Sequence, residues 1–386
     1  MKLKYWISYF LLLVFFGACS TTKNIPEGSY LLNDVSIKSD AKGVSSAELE
    51  AYVRQHPNGS IPLLGKVRLK IYNMAGTDTS KWITRFVRKI GEAPVIYSES
   101  QTNRTIGQLK KQMNNLGFLN AEVDTIRKIK KNKIDITYDI TGYEPYRIRN
   151  YTYTVDDTTM TRILNLVPRK PIVNSGDLFN VETLELERER VNEIMRNVGY
   201  ATFSKEFVYF KADTTLNSHQ VDMYLSVYPA KDSVPYPRYK MNKITVVTGY
   251  NALSENIERY YRDTTTTDYK DIFITRGRDH FLRSTAIYRP NLMRKGAYFS
   301  DYVLSRTYQN YSNLGAVKQV SIVTRPSPQD SLRLMDATIT LIPANPHWFR
   351  ANIDGTNSAG DIGIAPSVSY QHQNIFTGAE QLNLQL

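Results

Sequence analysis

Residues 116–123 read Leu-Gly-Phe-Leu-Asn-Ala-Glu-Val, and they mark the point where a predicted helix gives way to a predicted strand. Gly117 follows the apolar face of that helix, in the position where a left-handed glycine commonly caps the last turn. The same apolar-glycine pair recurs at Val198-Gly199 and Leu314-Gly315. The first, fourth and eighth residues before each glycine lie on one face of the helix. All nine of these residues are apolar except Thr307. We therefore predict three helices that end at these three glycines.

Three segments that alternate with period two follow the predicted helices, and each stops before a proline. The interval from the capping glycine to the closing proline is 28, 30 and 28 residues. Each unit also has a strand-like run after its glycine and another at its start. The alternating segments are 134–140, 221–227 and 337–342, the runs after glycine are 119–126, 203–210 and 317–324, and the opening runs are 30–37, 146–155 and 239–247. This threefold order of strand, helical region, strand and strand predicts tandem α+β domains.

The segment at 116–123 and its counterpart Val-Gly-Tyr-Ala-Thr-Phe at 198–203, repeated in this order, resemble POTRA domains. POTRA domains are the periplasmic modules of Omp85-superfamily proteins of the BamA and TamA type. The resemblance implies an α+β fold of tandem β-α-α-β-β domains, each with a three-stranded mixed sheet and two helices. It also implies that the first strands of a transmembrane β-barrel follow. A lipidated N-terminus is similar to the TamL type within this superfamily.

The domain boundaries follow from the repeat and from the change in character after Pro343. The predicted order is a lipoprotein signal peptide over 1–18, a tether over 19–29, POTRA-like domain 1 over 30–145 with an insertion at 61–94, domain 2 over 146–230, domain 3 over 237–343, and the incomplete start of an Omp85-type barrel over 344–386. A bacterial barrel needs at least eight strands, and the last segment supplies two or three. We expect a fragment of a longer protein, and the alternative is a vestigial tail on a POTRA-only lipoprotein.

Cys19 is the sole cysteine of the chain and follows a short basic segment, an apolar run from Tyr5 to Phe16 and the small pair Gly17-Ala18. This order is typical of a secretory signal peptide, and it resembles the bacterial lipobox, in which lipid is attached to the cysteine. An ordinary signal peptide that ends near a cysteine is the alternative. The predicted location is the outer membrane, with a lipid anchor on Cys19 and the POTRA domains in the periplasm, because residues 20–23 lack the acidic cluster that resembles a surface-export signal.

Composition and motif spacing give no support for catalysis. A single cysteine excludes a disulfide framework and a zinc site with two or more thiolates. The five histidines never lie three to five residues apart, so they form no paired metal-binding motif. The stretch at 59–66 resembles a phosphate loop but has one residue too many between its two glycines. We therefore predict no enzyme, no cofactor and no metal site. The basic run at 128–133 is predicted as a hairpin turn rather than a nucleic-acid site, and the dense charges of 184–196 are predicted to lie on a solvated helix face.

The predicted function rests on open sheet edges, to which an unfolded strand can add by β-augmentation. By the POTRA resemblance the second strand of each sheet is an edge, so the runs at 203–210 and 317–324 are the candidates. The candidate client-binding residues are Phe203, Phe207, Val208, Tyr209, Val317, Val320 and Ile322. We predict a non-enzymatic assembly or translocation factor for outer-membrane proteins. The alternatives are a POTRA-only lipoprotein scaffold in the envelope and an Omp85-type secretion transporter for a dedicated partner.

The predicted partners follow from that function. They are client outer-membrane proteins, the outer membrane itself through the lipid and a barrel, and, by resemblance only, a TamB-like inner-membrane partner. Nucleic acid is not expected. The net charge of +12 permits contact with an anionic membrane surface without requiring it.

Overall fold

The computed structural model describes residues 21–22, 24–75, 78, 80–215, 218–229, 236–249, 264–277, 280–328, 333–358 and 361–385. The predicted signal peptide and Cys19 lie outside the described residues. Contacts divide the chain into two compact units. The first comprises Met1–Tyr151, Val173–Leu184 and Ala212–Met223, and the second comprises Thr152–Ile172, Glu185–Lys211 and Tyr224–Leu386. In the described part of the chain, no helix is both long and apolar enough to cross a bilayer.

Module 1 (residues 31–141) is a mixed three-stranded sheet with helices. Its elements are β1 Leu31–Ser39, α1 Ser46–Glu50, α2 Val67–Met74, α3 Trp82–Ile90, α4 Glu99–Asn115, β2 Glu122–Lys130 and β3 Lys133–Thr141. The strand order is β1-β3-β2, with β3 parallel to β1 and antiparallel to β2. Alternate residues of β3, from Ile134 to Ile140, are buried with Leu109 and Met113 of α4. The predicted helix face and the predicted strand face therefore meet in one core. The basic run at 128–133 comprises the end of β2, the two-residue turn at 131–132 and the first residue of β3.

Module 2 (residues 147–227) repeats this plan with two helices. Its elements are β4 Arg147–Tyr153, α5 Thr158–Leu166, α6 Val181–Asn197, β5 Val208–Asp213 and β6 Gln220–Val227, and the strand order is β4-β6-β5. The carboxylate of Asp157 caps α5 by accepting the backbone N–H groups of Thr159 and Met160 at 2.8 and 3.2 Å. An acceptor at this position satisfies N–H groups that have no partner within the helix.

Module 3 (residues 240–343) has a five-stranded sheet. Its elements are β7 Lys240–Thr248, β8 Thr265–Tyr269, β9 Ile272–Arg276, α7 Ser284–Tyr288, α8 Asp301–Ser312, β10 Val317–Pro326 and β11 Leu334–Pro343, in the strand order β10-β11-β7-β9-β8. The expectation of three strands is wrong here, because a hairpin of β8 and β9 adds to the second half of β7. Thr307 occupies the core-facing position of α8 and is buried, because its hydroxyl donates to the Val303 carbonyl and accepts from Leu292 N–H.

The capping glycines behave as predicted in two of the three helices. Gly117 has φ +94° and Gly199 has φ +114°, so both are in the left-handed region that favours glycine. The prediction is wrong for Gly315, whose φ is not in that region. The helix of module 3 ends earlier, at Ser312, and Asn313 forms its C-cap in the right-handed conformation.

Modules 2 and 3 share a hydrogen-bonded arm just before the second helix. In module 2, Gly176 N–H donates to Ile148 O at 2.7 Å, Ile148 N–H to Asp177 O at 2.8 Å, and Phe179 N–H to Tyr146 O at 2.9 Å. Module 3 repeats all three bonds, from Gly296 N–H to Met241 O, from Met241 N–H to Ala297 O and from Phe299 N–H to Tyr239 O. The shared sequence is Gly-x-x-Phe, and this arm covers the beginning of the first strand of each module.

The charges of α6 are not all solvated, which corrects the expectation for residues 184–196. Glu187 and Arg190 are buried, with side-chain exposures of 0% and 1%. Two nitrogens of Arg190 donate to the two carboxylate oxygens of Glu187 at 2.7 Å each. Arg190 also donates to the Arg169 carbonyl and the Tyr153 hydroxyl, while Glu187 accepts Ile172 N–H at 2.9 Å. The pair therefore ties α6 to the segment that follows α5.

The terminal sheet (residues 347–385) is an antiparallel meander of β12 His347–Ser358, β13 Asp361–Gln373 and β14 Gln381–Gln385. The register places large apolar residues on one face. That face includes Phe349, Ile353, Ile364, Val368, Tyr370, Leu382 and Leu384, and the opposite face includes Trp348 beside the polar residues Arg350, Asn352, Ser367, Ser369, Gln371 and Asn383. All of the apolar residues except Tyr370 are exposed.

Candidate functional site

The two strands predicted as binding edges lie at sheet edges. In module 2, β5 is the outer strand beside β6, and in module 3, β10 is the outer strand beside β11. An edge strand carries backbone N–H and C=O groups that its own sheet does not use, so it can accept a further strand.

The β10 hydrogen-bonding pattern follows from its register with β11. Ser327 N–H donates to Leu334 O at 2.9 Å, and Pro326 lies opposite Met335. Because opposed residues of an antiparallel pair alternate between bonded and non-bonded, every second residue from Ser327 backwards bonds to β11. The residues between them, which direct their backbone groups away from the sheet, are Val320, Ile322, Thr324 and Pro326. Pro326 fits this outward set, since proline has no N–H to lose on an edge.

Val320 and Ile322 therefore combine two roles in β10. Their side chains pack against the core of module 3, Val320 buried and Ile322 half-buried, so the strand is fixed in place. Their backbone groups point outward and are positioned to pair with an added strand. Val317 differs, because its N–H donates to Leu314 O at 2.9 Å within the turn that follows α8. The usable edge thus begins after the bulge between Val317 and Gln319.

The predicted edge of module 2 is shorter than expected. The strand begins at Val208, after a 3-10 turn over Lys205–Phe207, so Phe203 and Phe207 precede it. Phe203 is buried and contacts Phe207 and Tyr236 edge-on, each with ring centroids 5.7 Å apart. The aromatic residues at 203 and 207 thus form a small cluster outside the strand. Within β5, Tyr209 stacks on Tyr228 at 4.3 Å.

Val208 does not offer open backbone groups. Its N–H donates to Lys205 O, and its carbonyl accepts Nε of Arg188 at 2.8 Å. Arg188 is itself held by Glu185 and Glu206. A proline at Val208 would therefore remove a hydrogen bond of the module itself, which makes β10 the better edge on which to test strand addition.

A cavity of about 600 Å³ lies beside the N-terminus of α5 and the end of β6. Two of its charged lining residues, Asp157 and Arg238, make hydrogen bonds that stabilise the fold. The Nε and Nη2 groups of Arg238 both donate to the Val198 carbonyl, and its guanidinium lies 4.0 Å from the ring centroid of Tyr298 and 5.6 Å from that of Tyr200. Burial, with a further contribution from Asp157, raises the pKa of Tyr200 to about 12, so this phenol stays protonated at neutral pH. Across the described residues, no three His, Cys, Asp or Glu side chains come together as metal ligands.

Tandem modules of strand, helices, strand and strand define this chain as a multidomain α+β protein. Residues 30–142 match the family model described as POTRA, surface antigen variable number repeat. Module 1 therefore matches the POTRA model over its whole length. The match confirms the resemblance deduced from the glycine-centred repeat.

Several solved structures are similar to the chain. POTRA domains 3–5 of Haemophilus influenzae BamA align at 12% identity and a TM-score of 0.38, covering 83% of this chain and 99% of that one. BamA from Haemophilus ducreyi lacking POTRA domains 1–3 aligns at 15% identity and a TM-score of 0.42, covering 62% of this chain and 37% of that one. CdiB from Acinetobacter baumannii aligns at 12% identity and a TM-score of 0.30, with coverages of 62% and 37%.

The chain thus spans little more than a third of the Haemophilus ducreyi BamA and Acinetobacter baumannii CdiB chains. A search of curated protein sequences gives no match. The POTRA assignment rests on the family model and on the order of strands in module 1.

Proposed function

We propose that the chain is the periplasmic POTRA region of an Omp85-type factor, similar to BamA and TamA, that assembles or translocates outer-membrane proteins. It acts by binding client strands rather than by catalysis. The observation that carries this proposal is the open edge of β10, where Val320, Ile322 and Thr324 direct main-chain groups away from the sheet. Clients that arrive unfolded have unpaired strands of their own, and main-chain pairing holds them with little sequence preference.

The energetics suit a transient client complex. Each added main-chain hydrogen bond contributes a net stabilisation of roughly 0.5–1.5 kcal/mol. A short ladder along three outward residues is therefore weak enough to release the client. Pro326 lacks an N–H, so it limits the ladder at the end of β10. β5 offers a second, shorter edge beyond Val208, with Tyr209 beside it.

The proposed location is the outer membrane, with modules 1 to 3 in the periplasm and a lipid anchor on Cys19. The terminal sheet supports a membrane position, because its apolar face is exposed and its other face is polar apart from Trp348. Strands that alternate in this way place one face against lipid and the other toward a polar interior, as in outer-membrane barrels. We propose residues 344–386 as the first strands of such a barrel.

The two alternatives differ in what the membrane part does. A POTRA-only scaffold would have no use for an exposed apolar face on the terminal sheet, so that face favours an assembly factor or a secretion transporter. A dedicated passenger would distinguish the transporter from the assembly factor, because the assembly factor has to accept many clients. A TamB-like inner-membrane partner belongs to the proposal through the resemblance to TamA.

Thr324→Pro tests the β10 edge. This substitution removes an outward N–H and places a ring in the path of an added strand, while the bonds from β10 to β11 stay in place. We expect the affinity for a peptide taken from an outer-membrane β-strand to fall about tenfold. The reason is that one main-chain hydrogen bond is lost and the neighbouring strand pairing is disturbed. Fluorescence anisotropy of the labelled peptide with the full chain measures the affinity.

Thr324→Val is the matched control, because it keeps the N–H and nearly the same side-chain shape. It should bind the peptide as the unaltered protein does. Circular dichroism establishes that both variants fold. A folded Thr324→Pro protein that retains full affinity would show that clients do not pair with β10.

A further inference from the structure

The helix α3 presents its apolar side to solvent. Trp82 is 68% exposed, and Ile83, Phe86 and Ile90 are exposed as well, whereas Thr84 on the opposite side is only 7% exposed. Arg88 also faces inward, with its guanidinium 5.5 Å from the ring centroid of Tyr72 in α2. An ordinary surface helix buries its apolar stripe and exposes its polar side. This helix does the opposite, so its apolar stripe fits a surface outside module 1.

A basic row runs beside this stripe. Trp82, Phe86 and Ile90 are spaced by four residues and follow one another along the helix, and Arg85 and Lys89 form the adjacent row. No acidic residue occurs in α3, and the segment at 61–94 contains seven basic and two acidic residues. A short helix with an aromatic and aliphatic face bordered by arginine and lysine is the pattern of helices that lie in the interface of anionic membranes.

The neighbouring part of the same segment adds to the apolar surface. Leu63 is fully exposed, and Ile61, Leu64 and Met74 are exposed to about half. Soluble proteins rarely expose so many large apolar residues within one short segment unless the segment binds something. The basic charge favours a phospholipid surface over a protein groove, because phosphate groups would neutralise the basic row while the acyl region accepts the indole and phenyl rings.

The beginning of the chain lies next to this segment. Asn24 donates its side-chain N–H to the Asn73 side-chain oxygen at 3.3 Å, and Asn73 belongs to α2. Asn24 is five residues after Cys19, a distance that an extended chain spans in at most about 18 Å. A lipid on Cys19 would therefore hold the membrane surface within reach of the segment at 61–94.

We propose that α3 is an interfacial membrane anchor that lies on an anionic phospholipid surface. Trp82, Phe86 and Ile90 enter the boundary between headgroups and acyl chains, and Arg85 and Lys89 bind phosphate groups. The anchor holds module 1 against the bilayer, whichever clients the edges of modules 2 and 3 accept. This proposal and the proposed function have only the location at the membrane in common.

Trp82 itself provides the test. The chain contains three tryptophans, so Trp6→Phe and Trp348→Phe leave Trp82 as the sole tryptophan. The full-length protein is isolated from host membranes and reconstituted into vesicles of phosphatidylethanolamine and phosphatidylglycerol, or of phosphatidylcholine alone. With brominated acyl chains, we expect a blue shift and about twofold or stronger quenching of Trp82 in the anionic vesicles, and much weaker quenching in the neutral ones.

Charge reversal gives the matched comparison. Arg85→Glu with Lys89→Glu should abolish the quenching, because each basic residue contributes about 1 kcal/mol of attraction, or roughly fivefold in partitioning. Lys110→Glu with Lys111→Glu makes the same charge change at exposed positions on α4 and should leave it unchanged. Unquenched Trp82 in vesicle-bound protein, or quenching that survives the reversal in α3, would overturn the proposal. Mass spectrometry of the N-terminal peptide reports lipid on Cys19 separately, so failure of the tether and failure of the α3 anchor are distinguishable.

Discussion

Arg190→Met is expected to destabilise module 2 by about 3–5 kcal/mol, because it removes the guanidinium that pairs with the buried Glu187 carboxylate. Glu187 is completely buried and would lose both charge-assisted hydrogen bonds from Arg190, while the Ile172 N–H continues to donate to it. The loss also removes the contacts of Arg190 with the Arg169 carbonyl and the Tyr153 hydroxyl. Hydrogen exchange of the α6 amides in urea measures the change locally, which a chain of several modules requires.

The double variant Glu187→Leu with Arg190→Met removes both members of the ion pair. It separates the free-energy cost of removing one partner from the net contribution of the pair to stability. Replacing a whole buried ion pair with apolar side chains of similar volume is often neutral or stabilising. We therefore expect the double variant to be more stable than Arg190→Met alone. If the single variant loses less than about 1 kcal/mol, Glu187 must reach water or another cation, and the buried ion pair does not stabilise module 2 in this way.

Gly117→Ala is expected to destabilise the junction between module 1 and the start of module 2 by roughly 2–5 kcal/mol. Two costs add. The backbone at Gly117 has φ +94°, which an L-residue rarely adopts, and an added Cβ would lie 2.5 Å from the Phe179 carbonyl oxygen. The neighbouring backbone is fixed by hydrogen bonds, since Tyr146 N–H donates to Gly117 O at 2.8 Å and Phe179 N–H to Tyr146 O at 2.9 Å. Relief of the clash would break one of these bonds.

Gly176→Ala is the matched control for the backbone term. Gly176 has nearly the same φ, +93°, but an added Cβ there has no atom within 4 Å. Gly176→Ala should lower the free energy of unfolding by about 1–2 kcal/mol, which is the cost of placing an L-residue in the left-handed conformation. Urea unfolding followed by hydrogen exchange at 116–123 gives the difference. Equal effects of the two substitutions would mean that the junction adapts to a methyl group at Gly117.

The fold could be predicted from the sequence where a local pattern and the global packing agree. The helix face ending at Gly117 and the alternating residues of β3 each predict one side of the same core, and the structure brings them together. The outer position of β10 followed from the repeat and the POTRA resemblance. What the sequence could not give was the direction of the backbone groups, which depends on the register of β10 against β11.

The remaining features were missed for identifiable physical reasons. Glu187 and Arg190 lie three residues apart among other charges, so the pattern on α6 does not distinguish a buried pair from solvated ones. The start of β5 was placed too early, because Phe203 and Phe207 are aromatic residues typical of strands but pack in a turn instead. The Gly-x-x-Phe arm was a readable signal, since it occurs twice before a helix N-cap. The Gly-x-x-Phe sequence does not coincide with the capping glycines and closing prolines from which the repeat units are defined.

The hairpin of β8 and β9 makes the sheet of module 3 asymmetric. It pairs with the second half of β7, while the Gly296–Phe299 arm bonds to the first half, so both parts of that strand are already engaged. The outer strand on this side, β8, has only five residues and is mostly exposed threonine and aspartate. Short polar edges of this kind discourage pairing between sheets. Module 3 would accordingly accept an added strand at β10 but not at β8. A client could then be held in an extended form, while the second edge of the sheet does not promote aggregation.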